Sequence, residues 1–208
     1  SSKMVTNGLE ITTYEDWDAF SNSKNLRSIT IPDSLTSMHG EAFSGCTNLV
    51  SIVVSDGNSG YSSVDGVLFN KDKTQLFRYP KNKASTDYVI PDSVTKIYGY
   101  AFKDCTNLKN LTINKSLTEI STSAFSSCTS LTSVTISEGV TSIGGEAFEW
   151  CDNLDSVVIP SSLTNISYRA FFNCNSLNYI YYCGLLDKWD EITIHKKGND
   201  CLKQATIS

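Results

Sequence analysis

The sequence predicts a solenoid, a mainly β coil in which similar units stack along one axis and share one core. Three observations carry that expectation. An Ala-Phe pair recurs at Ala19-Phe20, Ala42-Phe43, Ala101-Phe102, Ala124-Phe125, Ala147-Phe148 and Ala170-Phe171, with every interval 23 residues except one of 59. A fixed period in this range marks units that bury their apolar faces only against their neighbours. Each unit also carries an apolar-x-x-apolar-x-apolar run: Leu26/Ile29/Ile31, Leu49/Ile52/Val54, Leu108/Leu111/Ile113, Leu131/Val134/Ile136, Leu154/Val157/Ile159 and Leu177/Ile180/Tyr182. The alternation at its last two positions is that of a strand with one buried face. Finally, 59 is 23 plus 36, so one unit carries a long insertion while the phase holds from residue 19 to about residue 182.

The elements follow in chain order. Thr13 with Asp16 three residues later has the spacing of a capping box, so a short helix through Trp17 and Phe20 is expected, with residues 1–18 as an N-terminal cap. The repeats fill 19–182. Stacked units place their strands side by side in a parallel sheet, and full burial of each aliphatic side chain stabilises by roughly 1.5–3 kcal/mol. Pro32, Pro91 and Pro160 lack an amide hydrogen and mark where strand pairing stops. A Val/Leu-Thr-x-Ile run then gives a second inward pair, as at Val140 and Ile143. The Ala-Phe pair turns the chain along the convex side, with Phe filling the corner of the coil and Ala leaving room for it. In the insertion, placed at 55–87, the runs Tyr61–Phe69 and Gln75–Tyr79 read as strands on either side of a turn at 70–74. They predict a hairpin folded on the solenoid, extending or capping one edge of its sheet, before Tyr88-Val89-Ile90-Pro91 restarts the register. Residues 183–208 read as a C-terminal cap: a short helix over Gly184–Trp189, then short strands at Ile192–Ile194 and Ala205–Ile207. A solenoid needs such ends because its last apolar face has no neighbour. The whole reads as one continuous domain.

Composition narrows the function classes. There are 30 Ser, 20 Thr and 16 Asn, while 19% of residues are charged, so hydroxyls and amides solvate the surface more than ions do. The net charge of -5 argues against nucleic acid, whose binding needs clustered Lys and Arg. The interrupted basic run from Lys71 to Lys83 lies in the insertion and reads as a solvated hairpin. No stretch of 18 apolar residues is present to span a membrane. The start Ser1-Ser2-Lys3 reads as a piece of a longer chain with any secretion signal or anchor outside it.

Residues that could do chemistry are sparse. Cys46, Cys105, Cys128, Cys151 and Cys174 share one column and lack the short paired spacing of metal sites. They read as buried structural thiols. Cys183 and Cys201 are out of phase, and a bridge between them stays open; the odd total of seven leaves at least one thiol free. His39 and His195 assemble no Ser-His-Asp or Cys-His set in register. Glu15, Asp16 and Asp18 sit where acids favour a helix N-terminus, and Gly144-Gly145 reads as a turn in the repeat. No catalytic, cofactor or metal residue is assigned.

On the motifs quoted, six copies in one register, the repeat resembles the BspA-type leucine-rich repeat, a 23-residue variant of the leucine-rich-repeat fold in bacterial and some protist proteins. The resemblance covers about residues 19–182. It implies a leucine-rich-repeat solenoid, a right-handed coil with a parallel sheet on one face and convex turns or short helices on the other. Val64-Asp65-Gly66-Val67-Leu68-Phe69 resembles a hairpin often inserted in this family, and Trp189–Ile194 resembles a recurrent C-terminal element. Ser23 stands where the other copies carry Cys, which suggests an end unit. The resemblance further implies a non-enzymatic interaction module from the cell surface or the extracellular space, with relatives regarded as surface proteins and adhesins. Its ligand would be a protein or glycan, and the module a monomer. A structural spacer displaying another domain of a longer chain is the alternative.

Two surfaces are candidates for that ligand. The outward positions of the main strands read Ser28/Thr30, Ser51/Val53, Asn110/Thr112, Ser133/Thr135, Ser156/Val158 and Tyr179/Tyr181. Thr and Val suit strands, and side-by-side Thr can hydrogen-bond, so this face has a purely structural reading. It also reads as a flat binding surface over Thr112, Thr135 and Val158 with Tyr179 and Tyr181 as anchors, because Tyr supplies contact area at low entropic cost. On the convex side, Trp150 and Phe172 occupy variable positions of adjacent units and form either a contact patch or packing on the next turn. Glu146 and Arg169 share a column and are expected to form a weak surface ion pair. Of three Asn-x-Ser/Thr sites, at Asn110, Asn114 and Asn165, the first lies on the sheet face, where a glycan would argue against binding there.

Overall fold

The computed structural model describes residues 4–6, 9–11, 20–38 and 42–208. The helix expected from Thr13, together with Ala19 and His39, lies outside the described residues. In chain order, β1 (Met4–Thr6) and β2 (Leu9–Ile11) pair antiparallel, and β3 (Ser28–Ile31) pairs parallel with β4 (Ser51–Val54). Next come β5 (Tyr61–Val64), β6 (Val67–Asn70) and β7 (Gln75–Arg78). From there long and short strands alternate: β8 (Asp87–Val89), β9 (Lys96–Ile97), β10 (Asn110–Ile113), β11 (Glu119–Ile120), β12 (Ser133–Ile136), β13 (Ser142–Ile143), β14 (Ser156–Ile159), β15 (Asn165–Ile166), β16 (Tyr179–Tyr182), β17 (Thr193–Ile194) and β18 (Thr206–Ile207). The main parallel sheet runs β8-β10-β12-β14-β16-β18, and a second, narrower parallel sheet runs β11-β13-β15-β17. The chain is thus the mainly β parallel solenoid that the 23-residue period predicts.

Each turn is locked to the next by the same few bonds. The Phe amide donates to the Ala carbonyl one turn on, at 2.8 Å for Phe102, Phe125 and Phe148. This brings the rings into a column, with centroids 4.8 Å apart for Phe102–Phe125 and 5.3 Å for both Phe125–Phe148 and Phe148–Phe171. Those separations follow the ~4.7–4.9 Å spacing of neighbouring strands. Ala and Phe of these turns are fully buried, as expected from their corner role. The thiols form a parallel ladder: Cys128, Cys151 and Cys174 donate to the Phe102, Phe125 and Phe148 carbonyls at 3.1, 3.3 and 3.1 Å. Cys thus gives the corner carbonyl a second partner while packing as a small apolar group.

The insertion differs from expectation in two ways. It holds three strands, because Asp65 and Gly66 take φ of 51° and 77° and turn β5 back into β6. Two successive left-handed residues make the tight hairpin turn that Asp-Gly favours. The hairpin also sits within the stack: β3–β4 and β8–β18 form separate sheets, and the expected continuous sheet is broken between β4 and β8. Alternating side chains of β6 serve two cores, with Leu68 in the cluster around Ile29, Phe43 and Ile52, and Val67 and Phe69 in the cluster that runs on to Leu202. Within the 59-residue interval hides a whole unit without Ala-Phe. Tyr79 takes the place of Phe, donating from its amide to Ala101 at 2.9 Å and stacking on Phe102 at 5.0 Å.

The C-terminal residues continue the coil more closely than their sequence suggested. A 3-10 helix spans Leu186–Glu191 where a helix over Gly184–Trp189 was expected. The strands β17 and β18 add to the second and main sheets beside β15 and β16. A short helix, α1 (Cys201–Gln204), was not foreseen. It places Cys201 in the thiol ladder, donating to the Phe171 carbonyl at 3.3 Å, so the out-of-phase reading of Cys201 is corrected. Asn199 supplies from its side chain the acceptor for the Phe171 amide that Ala provides elsewhere.

Candidate functional site

The main sheet positions most of the sequence candidates. Thr112 pairs with Thr135, Thr135 with Val158 and Val158 with Tyr181, so these four form one outward row across β10, β12, β14 and β16. Asn110, Ser133, Ser156 and Tyr179 form the row beside it. No charged side chain stands in either row between β10 and β16. Asp87 begins the second row on β8, where the Thr86 hydroxyl and then the Asn110 amide hold its carboxyl below the usual range. The face therefore grades from an acid through small hydroxyls to an aromatic end. Tyr179 and Tyr181 stay 45% and 47% exposed, with ring centroids 6.3 Å apart and planes within 13°, so both phenol groups meet solvent as one ordered patch. Such a pair offers apolar area and two hydroxyls with little rotamer entropy left to lose.

Trp150 and Phe172 lie apart from these rows, on adjacent turns beside the thiol ladder. Their rings meet edge-on at 5.9 Å, and Trp150 is 46% exposed. The structure adds a feature hidden in the sequence. Asn22, Gly45, Asp104, Ser127, Trp150 and Asn173 recur in one column, all with φ between 59° and 72°. Inter-turn bonds impose this geometry, as when the Trp150 amide donates to the Phe172 carbonyl at 2.8 Å. A bulky side chain there costs on the order of 1–2 kcal/mol. The other members are the small or Asn/Asp types that tolerate it, so Trp150 is the one large side chain described in that column. Arg169 lies over the Phe172 ring at 4.0 Å and pairs with Glu149 at 2.6 Å. The expected partner, Glu146, instead accepts from the Ser123 hydroxyl at 3.4 Å, because stacking on Phe172 brings the guanidinium to Glu149. Burial, then the neighbouring Glu146, pushes the Glu149 carboxyl up against the pull of Arg169.

The remaining candidates resolve into structure. All seven cysteines are free thiols. Burial raises the pKa of Cys105, Cys151 and Cys174 well above the usual value and pushes Cys201 up to about 11. Raised values mean that these thiols support the fold fully below pH 9.0 and lose that contribution as pH climbs past it, since only the unfolded chain then ionises them. A disulfide-exchange reagent at neutral pH should therefore titrate one fast thiol, the exposed Cys183, with the other six reacting only on unfolding. Two or more fast thiols would contradict the ladder. His195 packs edge-on against Tyr168 at 5.3 Å, and among the described residues no three His, Cys, Asp or Glu side chains gather to hold a metal. Of the Asn-x-Ser/Thr sites, Asn114 is buried, Asn165 is half-buried and Asn110 is exposed. No described helix is long and apolar enough to cross a membrane.

Comparison with known proteins fits this geometry. The family model for the BspA type leucine rich repeat region matches residues 15–88 and 73–197 in six copies. A leucine rich cell surface protein from Faecalibacterium prausnitzii A2-165 is 33% identical with a TM-score of 0.66, over 81% of this chain and 51% of that one. A leucine-rich repeat protein from Eubacterium ventriosum is 26% identical with a TM-score of 0.60, over 74% of this chain and 48% of that one. The pneumococcal vaccine antigen PcpA shares the fold, at 22% identity and a TM-score of 0.64 over 88% of this chain and 55% of that one. The chain spans about half the length of these solved relatives. No curated protein matches it.

Proposed function

This chain belongs to the BspA-type leucine-rich repeat family, and from that premise we propose that it is a non-enzymatic binding module of a secreted or cell-surface protein, which holds a protein or glycan ligand in adhesion to host or neighbouring cells. The ordered, half-exposed Tyr179–Tyr181 pair at the aromatic end of an uncharged sheet face carries the proposal. Rigid tyrosine anchors among small, adaptable polar groups are the composition of antibody-type binding surfaces. Leucine-rich repeats as a class bind proteins, and the Faecalibacterium relative is described as a cell surface protein. The Trp150–Phe172 pair is a secondary contact on this reading, because it lies on the turns and away from the row of Thr112, Thr135, Val158 and Tyr181.

The test is direct binding of the purified protein to extracellular-matrix proteins, host cell surfaces and glycans. A variant carrying Tyr179→Ala and Tyr181→Ala should lose at least ~30-fold in affinity, as removal of a hot spot worth about 2 kcal/mol requires. Its fold should persist, since neither ring belongs to the core. Trp150→Asn, which installs a residue type found elsewhere in that column, should weaken binding much less than the tyrosine variant does. Equal binding by the tyrosine variant would move the contact to Trp150 and Phe172, and binding to nothing on the panel would favour a structural spacer.

A further inference from the structure

The break in the main sheet leaves one strand edge unfinished inside the molecule. Parallel pairing engages alternate residues of β8 with β10: Ile90 donates to the Thr112 carbonyl at 3.0 Å, and the Thr86 carbonyl accepts from Asn110 at 3.0 Å. The backbone groups of Asp87 and Val89 therefore point away from β10. On that side no described strand pairs with β8. The opposite lip of the break is closed, since Ile52 of β4 donates to the Gly66 carbonyl at 2.9 Å and Val54 to the Ser63 hydroxyl at 3.0 Å. The hairpin thus finishes β4 and leaves β8 open.

Two side chains report the same gap. Val89 is 65% exposed, whereas Thr112, Thr135 and Val158, which continue its row, are half-buried. Tyr88 points inward in the column of Leu111, Val134, Val157 and Ile180; those four are fully buried and Tyr88 is only partly so. An apolar side chain delivered beside Tyr88 would complete that column.

We propose that β8 is a strand-addition site, and that its occupant is an extended segment of a partner polypeptide. That segment lays an apolar residue against Tyr88 and a basic or polar one opposite Asp87. An open row of alternating N–H and C=O groups is matched in spacing by another strand, and its ladder bonds supply the affinity while side-chain positions supply the selectivity. The Asp87 carboxylate is exposed, accepts from Thr86 and Asn110 and carries no ion pair among the described residues, so it favours a Lys or Arg in the added strand. The site lies on the sheet of the proposed binding face but at the end opposite Tyr179 and Tyr181, and it does not depend on those rings.

A peptide of residues 47–56 of this chain serves as the probe, because it contains the β4 strand that precedes the next main strand in an unbroken stack. Amide hydrogen exchange on the whole protein is followed residue by residue as the peptide is added. Exchange at Asp87 and Val89 should slow roughly tenfold at saturation. A peptide carrying Ser51→Lys should saturate at lower concentration, and one N-methylated along its pairing edge should give no slowing. Val89→Pro in the protein removes an edge donor that no internal ladder uses, and it should abolish the effect. The N-methylated peptide keeps the test decisive if that variant folds poorly. No slowing at these two amides up to millimolar peptide, slowing confined to the β18 edge, or slowing indifferent to N-methylation would overturn the proposal. The Tyr179→Ala/Tyr181→Ala protein should respond like the parent, so failure here and failure of the tyrosine face are read separately.

Discussion

Phe148→Ala is expected to cost about 3–5 kcal/mol of folding free energy, near the upper end for a core phenyl group. The ring is fully buried between Phe125 and Phe171, each 5.3 Å away and within 14° of parallel. The space left by its removal cannot close. Phe125 and Phe148 donate from their amides to Ala147 and Ala170 at 2.8 Å, which sets the rise between turns and holds the neighbouring rings apart. The cost of a truncation grows with the cavity that remains, so a rigid column is penalised more than a pliable one. Urea denaturation followed by far-UV circular dichroism measures the loss as a lower midpoint with little change in slope. Phe20→Ala should cost less, because Phe20 stacks against one described ring, Phe43. Equal losses at the two positions would mean that the column does not act as a rigid stack.

Asn114→Ala should cost about 3 kcal/mol or more, although it removes only a small polar group. The side chain is buried where the chain leaves β10. Its amide donates to the Pro91 and Val94 carbonyls of the preceding turn, and its carbonyl accepts from Ser116 at 2.9 Å and Leu117 at 3.1 Å. Alanine would strand groups on both turns, and each buried orphan costs roughly 1–3 kcal/mol. Asn58 makes the same four-bond clasp with Pro32, Leu35, Gly60 and Tyr61, which marks it as a device of this coil. Asn114→Asp should fail similarly at neutral pH, since a carboxylate cannot donate to the two carbonyls. Chemical denaturation gives the magnitude, and faster amide exchange at Leu117 would locate the damage. Asn165→Ala, which loses one bond to Ser167 in a half-buried place, is the control and should cost well under half as much. A loss at Asn114 no greater than at Asn165 would show that water satisfies the clasp.

What could be read from the sequence was whatever repeats. The 23-residue period places each Phe, Cys and Leu in a column, and burial alone then sets which way the side chains point. The departures share a cause: local geometry that no column reports. Asp65-Gly66 turns the chain because both residues take left-handed backbone, inside a run, Tyr61–Phe69, whose residue types read as a strand. Tyr79 stands 23 residues before Phe102, a signal of the hidden unit that the absent Ala-Phe concealed. Cys201 joins the thiol ladder through a short helix that changes the spacing from 23 to 27 residues after Cys174, so phase counting missed it. Of the candidate site, the row of Thr112, Thr135, Val158 and Tyr181 was legible because strand alternation fixes which residues point outward. The left-handed strain under Trp150 and the open edge of β8 were not, since both arise from bonds between turns.

The most direct test of the account is a hydrogen-exchange and cross-linking footprint of the protein with a matrix protein or glycan to which it binds. Protection and cross-links spread over β10 through β16, strongest at Tyr179 and Tyr181, is the predicted result. A footprint confined to the turns of Trp150 and Phe172, with the sheet face as accessible as in the free protein, would contradict it.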